Sequence, residues 1–478
     1  MTDRTEQILD IFTELSVIPR QSGNRGPVKG WITSWAEEHG FEWKSDKIDN
    51  ILIKVPASEG LEDRPTLILQ GHSDMVCEKT PDSDHDFSRD PLDLYRDGEW
   101  LRARNTTLGA DNGIALAMAF DLALNPEVSH GPLEILITSD EEIGLLGANG
   151  LESDFLSGRT LINIDSEDEG VLTVGCAGGS DCHFDFEGEW EKAEGEICEI
   201  LIDGLTGGHS GVDINKGRAS AIQLAGRLLA GLLDENLSLV DFQSGSGATN
   251  ALARRAELVL LVKKGGVDRN QAELSRWEEI FKAELGQADS NLTISLDCKG
   301  PARTECLGAA SFLQFIDLIL SLPHGVVSLS REIDNLVETS ANLAAVKKTG
   351  KTFHFSTSQR SSVMSRLKEI NLRTVASARL AGCTNIVSNN RYPSWQPDWD
   401  SSLLAKTKEI YGNLYDREAV VEVIHAGLET GIIGSKYKGM DMISLGPTIE
   451  NPHSPDERLL IPSIQMVYNL IFEIIRSI

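Results

Sequence analysis

The 478-residue chain predicts an α/β fold: one domain with a mostly parallel sheet flanked by helices, interrupted by an inserted α+β domain. Three observations predict it. Over the first 175 or so residues, short apolar runs alternate with helical segments, as in a sheet covered on both faces. Beyond that point the runs turn to polar–apolar alternation, the mark of half-exposed antiparallel strands. After residue 384 the first style returns. The length also favours two domains over one core.

The elements follow in order. Residues 6–15 and 27–39 read as helices. Residues 50–55, 66–70, 133–138 and 160–164 read as strands, dense in Leu and Ile and bounded by polar residues or glycine. Between them 112–124 is a helix, with Ile114, Leu116, Met118 and Leu122 and a stop at Asn125-Pro126. After about residue 175 come strands at 180–188 and 196–202, a helix at 220–233, strands at 258–262, 292–296, 341–347 and 352–356, and a helix at 362–381. A helix at 403–411, strands at 420–423 and 442–445, and a closing helix at 461–475 complete the first domain. The expected division is 1–185 and 386–478 for the first domain and 186–385 for the insertion. In parallel sheets ligands bind beyond the carboxyl ends of the strands.

Composition is ordinary, at 41% hydrophobic and 24% charged residues, but the net charge is −29. That charge argues against nucleic acid or an anionic membrane as partner, since both need clustered Lys and Arg. Seven scattered cysteines with no CxxC read as reduced thiols of a cytosolic protein. Residues 1–20 lack the basic and apolar regions of a signal peptide. The apolar stretch at 470–475 is too short to span a bilayer and contains Glu473. A soluble cytoplasmic protein is expected.

Five residues stand in short polar segments suited to metal ligation: His72, Asp111, Glu142, Asp165 and His453. Two imidazoles and three carboxylates can hold two divalent ions if one carboxylate bridges, which is equipment for hydrolysing an amide bond. His72 ends an apolar run in His-Ser-Asp, where Asp74 is placed to hold the imidazole. Asp111, in Leu-Gly-Ala-Asp-Asn-Gly, sits where a loop becomes a helix, and serves equally as a helix cap. In Thr-Ser-Asp-Glu-Glu-Ile-Gly, the adjacent carboxylates divide the work: Glu142 ligates and Glu141 accepts a proton from the attacking water. Asp165 follows the run Leu-Ile-Asn-Ile, and His453 lies between two prolines. In the insertion, His209 stands on a glycine loop where it can polarise a carbonyl oxygen. Asn250 and Arg360 are candidates for holding a peptide end, Arg360 as a bidentate carboxylate partner. Each segment alone is also an ordinary turn or cap; their conjunction points to chemistry.

In order, GHSDMV, LGADNGI, TSDEEIG, NIDSED, GGHSG, HAGLETG and NPHSPDER resemble the aminoacyl-histidine dipeptidases, also called Xaa-His or beta-alanyl-histidine dipeptidases. These belong to a larger di-zinc group with carnosinases, aminoacylases and glutamate-releasing carboxypeptidases. The resemblance covers essentially the whole chain. It implies that His72 and Asp165 bind one zinc, that Glu142 and His453 bind the other, and that Asp111 bridges them. It implies two divalent ions, zinc first, with cobalt or manganese as substitutes. Asp74 would orient His72, and Glu141 would be the general acid/base. The peptide bond after Asp111 would be cis. His209 would be the lid residue that contacts the substrate carbonyl, with Asn250, Arg360 and Glu429 binding the rest of the substrate. The implied fold is a catalytic α/β domain interrupted by a lid domain. The implied activity is hydrolysis of dipeptides, Xaa-His above all, by a protein that forms homodimers. The alternative is another amidohydrolase of the group: a tripeptide aminopeptidase, a carboxypeptidase or an N-acyl amino acid deacylase.

Overall fold

The computed structural model describes residues 2–234, 236–263 and 267–478. The chain forms two compact units. One comprises Met1–Cys176, Trp395–Val423 and Leu428–Ile478; the other comprises Ala177–Ser394 and Ile424–Gly427. The crossing points differ from the expected 185 and 386. Strand Gly178–Glu187 pairs with Thr352–Ser361 and with Thr384–Tyr392, so all three strands belong to the second unit's sheet.

The first unit is built on an eight-stranded sheet. Its centre is parallel: Leu67–His72 lies between Leu133–Thr138 and Thr160–Asn163, and Asp441–Ser444 runs alongside Thr160–Asn163. Leu67–His72 and Leu133–Thr138 are buried at every position, which explains their near-continuous apolar sequence. Away from the centre, Glu42–Ser45 and Ile51–Val55 pair antiparallel, as do Ile51–Val55 with Leu133–Thr138 and Asp441–Ser444 with Val171–Cys176. The sheet is therefore mixed around a parallel core. Apolar runs report burial and carry no information on strand direction.

Helix Ala110–Leu124 packs on strand Leu67–His72 and is buried along most of its length; Thr5–Ser16 packs against that helix, and Ile461–Ser477 against Thr5–Ser16. A small four-stranded sheet joins Leu94–Asp97, Trp100–Ala103, Ile449–Glu450 and Arg458–Leu460. Its hairpin between Glu450 and Arg458 carries His453.

The second unit is a nine-stranded sheet whose paired strands run antiparallel, with helices Ala221–Leu232, Val267–Leu285 and Ala309–Ser321 among its elements. Phe184, Phe186, Phe315, Phe353 and Phe355 fill its core. Cys198 and Cys298 face each other across strands Trp190–Asp203 and Thr293–Leu307 and form a disulfide. This corrects the expectation of seven free thiols; Cys77, Cys176, Cys182, Cys306 and Cys383 are free. One hundred residues separate the bonded pair, so only the strand pairing brings them together. Among the described residues, no helix is long and apolar enough to cross a membrane.

The helix that begins at the Asp111 loop is anchored by Phe120, which stacks on Trp35 with ring centroids 4.0 Å apart. Phe120→Ala should cost about 3–5 kcal/mol, read as a lower urea midpoint; an unchanged midpoint would contradict this packing role.

Candidate metal centre

His72 is the last residue of its strand, and Asp165 lies two positions past the end of a neighbouring one. Glu141 and Glu142 follow strand Leu133–Thr138. The parallel centre thus delivers three loops to one edge, as expected for ligands beyond strand carboxyl ends. Asp111 enters from helix Ala110–Leu124, whose second and third residues have non-helical backbone angles and a cis bond between Asp111 and Asn112. His453 comes from the hairpin of the small sheet.

The five side chains converge. His72 Nε2 lies 3.1 Å from Asp111 Oδ1 and 3.5 Å from Asp165 Oδ1. His453 Nε2 lies 3.0 Å from Asp111 Oδ2 and 3.1 Å from Glu142 Oε2. Asp111 thus turns one oxygen to each imidazole. The donors form two triads, His72–Asp111–Asp165 and Asp111–Glu142–His453, that share this carboxylate. Glu141 offers an oxygen within 4.8 Å of donor atoms of His72 and Glu142.

Such crowding has a cost. Burial, then repulsion from Glu142, Asp165 and Glu429, raises the Glu141 carboxyl well above its ordinary value, although His72 pulls it down. Burial works to lower the His453 pKa, yet Asp111 and Glu142 raise it to about 11. Glu142 Oε1 is buried with no hydrogen-bond partner in the protein. Two cations with nitrogen and oxygen ligands would satisfy this orphan oxygen and neutralise the carboxylates, so the donor set fits a divalent pair.

The supporting contacts are extensive. His72 Nδ1 faces the Asp74 main-chain oxygen at 3.1 Å and its carboxylate at 3.5 Å. That contact leaves Nε2 turned to the cluster. The Asp74 carboxylate also accepts from the main-chain N–H groups of Glu141 and Glu142, and from Ser22 Oγ. Asn112 Oδ1 accepts from His72 N, while its Nδ2 donates to Asp165 Oδ1 and to the Ile164 oxygen. A Cβ at Gly71 would meet Asn112 Oδ1 at 2.3 Å, which is why glycine precedes His72.

Two buried residues at the site were not foreseen. Glu457 accepts from the main-chain N–H groups of Leu108, Gly109, Ala110 and Asp111, at 2.7–3.3 Å. One carboxylate thereby fixes the loop that presents Asp111, from the same turn that presents His453. Its place four residues after His453 was the available signal. Arg20 is buried and donates to the main-chain oxygens of Gly109 and Asp74. It stands in no motif, and nothing in the sequence marks it.

Glu429 is fully buried beside the centre. Its Oε2 accepts from Gln70 Nε2 and Thr138 Oγ1, each at 2.6 Å. His209, Asn250 and Arg360 lie in the second unit. His209 Nδ1 accepts from the N–H groups of Gly211 and Val212, so its proton sits on Nε2. The His209 and Asn250 loops are bonded, Ser210 N to Asn250 O at 2.7 Å, and Asn250 is exposed. Arg360 is buried, donates to Tyr392 Oη at 3.0 Å, and leaves Nε without a partner.

Removing the loop clamp is informative. Glu457→Ala leaves three buried N–H groups and the part-buried one of Asp111 without this acceptor and should weaken metal retention about 10–100-fold, measured by competition with a chelator. Unchanged retention would show that the clamp does not set the Asp111 loop.

Comparison with known proteins agrees with this geometry. The model of peptidase family M20/M25/M40 matches residues 68–477. The cytosol non-specific dipeptidase of Escherichia coli is 38% identical over 478 residues, spanning 99% of this chain and 98% of that protein. The crystal structure of aminoacylhistidine dipeptidase from Vibrio alginolyticus matches with a TM-score of 0.84 and 37% identity, covering 99% of this chain and 96% of that one. A tripeptidase from Staphylococcus aureus shares the fold, with a TM-score of 0.56 at 17% identity and coverage of 99% and 98%. M20 metallopeptidases are dimetal enzymes. With its sequence matched almost end to end and its carboxylates gathered around two imidazoles, this chain belongs to the M20/M25/M40 peptidase family and is a peptide hydrolase.

Proposed function

We propose that the chain is a cytoplasmic di-metal dipeptidase that prefers Xaa-His substrates. The observation that carries this reading is the Asp111 carboxylate shared between two imidazole-containing triads. Full-length similarity supports the dipeptide substrate, since one relative is named a non-specific dipeptidase of the cytosol and another an aminoacylhistidine dipeptidase. The tripeptidase likeness extends to fold alone.

His72 and Asp165 would hold one ion, Glu142 and His453 the other, and Asp111 both; zinc suits the mixed imidazole and carboxylate set, with cobalt or manganese as substitutes. The ions, when bound, acidify water and polarise the scissile carbonyl. Glu141 accepts a proton from the attacking water as the carbon–oxygen bond forms. It returns that proton to the leaving nitrogen as the carbon–nitrogen bond breaks. Burial favours a protonated Glu141, which suits it to the second step. Asp74 and Asn112 hold the His72 and Asp165 side chains while this occurs. His209, whose Nδ1 accepts from the Gly211 and Val212 N–H groups, carries its proton on Nε2 and is suited to donate to a substrate carbonyl oxygen, and Arg360 to a terminal carboxylate. Asn250 is proposed as a further substrate contact.

Two adjacent variants separate the roles. Glu141→Ala should keep both metals and lose about 100- to 10,000-fold in kcat, while Glu142→Ala should lose bound metal. Metal content and kcat read together decide it; full activity in Glu141→Ala refutes the assignment. Carnosine, other Xaa-His dipeptides, tripeptides and acyl amino acids, assayed after chelation and return of single metals, test the substrate. Faster turnover of tripeptides or acyl amino acids than of any dipeptide would overturn the dipeptidase reading.

A further inference from the structure

Beneath the ligand-bearing strand ends lies a row of buried polar side chains on three adjacent strands of the sheet. Gln70 is in register with Asn163, and Asn163 with Ser444, on three adjacent strands. All three are 0–1% exposed. Side chains two apart share a face of a strand. Gln70 therefore stands directly below His72, and Asn163 precedes Asp165 by the same step.

The row has one direction. Ser444 Oγ donates to Asn163 Oδ1 at 2.5 Å, Asn163 Nδ2 to Gln70 Oε1 at 2.6 Å, and Gln70 Nε2 to Glu429 Oε2 at 2.6 Å. Every donor points toward Glu429. Gln70 Nε2 also donates to Thr138 Oγ1 at 3.2 Å; turning either amide end for end would set donor against donor or acceptor against acceptor along the row, so neither can flip alone. Apolar residues of matching shape could fill such positions with little or no loss of stability. What the bonded polar row adds is a unique geometry; only Glu429 Oε1, at its end, has no partner in the protein.

We propose that Gln70, Asn163 and Ser444, with Glu429 as terminal acceptor, are positioning residues that fix the lateral spacing of the strands carrying His72 and Asp165. The row sets the distance between these two ligands from one step below. It rests on the di-metal reading. It also gives Glu429 a supporting role beneath the centre in place of contact with substrate.

The direction of the row supplies the test. Gln70→Glu sets two buried carboxylates against each other. In the double variant Gln70→Glu/Glu429→Gln, the amide at position 429 donates to the carboxylate at position 70, which still accepts from Asn163. Chelator-stripped protein is titrated with Co2+ and followed by visible absorption, and KM for an Xaa-His dipeptide is measured alongside. The single variant should bind Co2+ about 10–100-fold more weakly, and the double variant should recover most of that loss, with KM unchanged throughout. A double variant as weak as the single one, or a KM that rises with Glu429→Gln, overturns the proposal. If Gln70→Glu does not fold, Ser444→Ala removes only the far donor. It should weaken Co2+ binding with KM unchanged; undiminished affinity there counts against the row. Wild-type protein that takes up fewer than two Co2+ per chain would instead overturn the di-metal reading.

Discussion

One carboxylate stands at the centre of the first unit's cluster of polar side chains. Asp111 faces His72 with one oxygen and His453 with the other, and these residues come from a loop before a helix, a strand end and a hairpin of a separate small sheet. Bringing like charges this close in a buried place is unfavourable unless cations offset it. The rest of the unit answers that problem. Glu457 and Arg20 hold the Asp111 loop by its main chain. Asp74 holds the Glu141–Glu142 turn, and Asn112 ties His72 to Asp165.

These supports share a design. Each bonds to main-chain atoms of a ligand's loop, or to the ligand itself, from an element distant in sequence. Glu457 reaches back almost 350 residues to Leu108, and Gln70 meets Glu429 across 359. The centre is therefore assembled by tertiary structure, and its geometry depends on several segments being folded at once. Holding the proposed ligands on strand ends, with buried contacts behind them, is the arrangement that gives the positional accuracy hydrolysis of an amide needs.

Much of this was legible in the sequence. Leu133–Thr138 and Leu67–His72 are buried at every position, so their apolar runs announced both strands and the polar residues that end them. The second unit's alternation announced its antiparallel sheet. What stayed hidden depends on partners in space. Arg20, the Cys198–Cys298 pair and the Gln70–Asn163–Ser444 row look like unrelated polar or sulfur residues until the strands pair. Helix Ala309–Ser321 escaped for another reason: its dense Phe, Leu and Ile content suits a buried strand as well as a buried helix. The loops bearing Asn250 and Arg360 gave residue types but no geometry.

The most direct measurement is a zinc-loaded crystal examined by anomalous scattering. Two zinc peaks about 3.5–4 Å apart are expected, one beside each oxygen of Asp111, with His72 and His453 on opposite ions. A single peak, or a His453 ring turned away from the cluster, would contradict the di-metal reading.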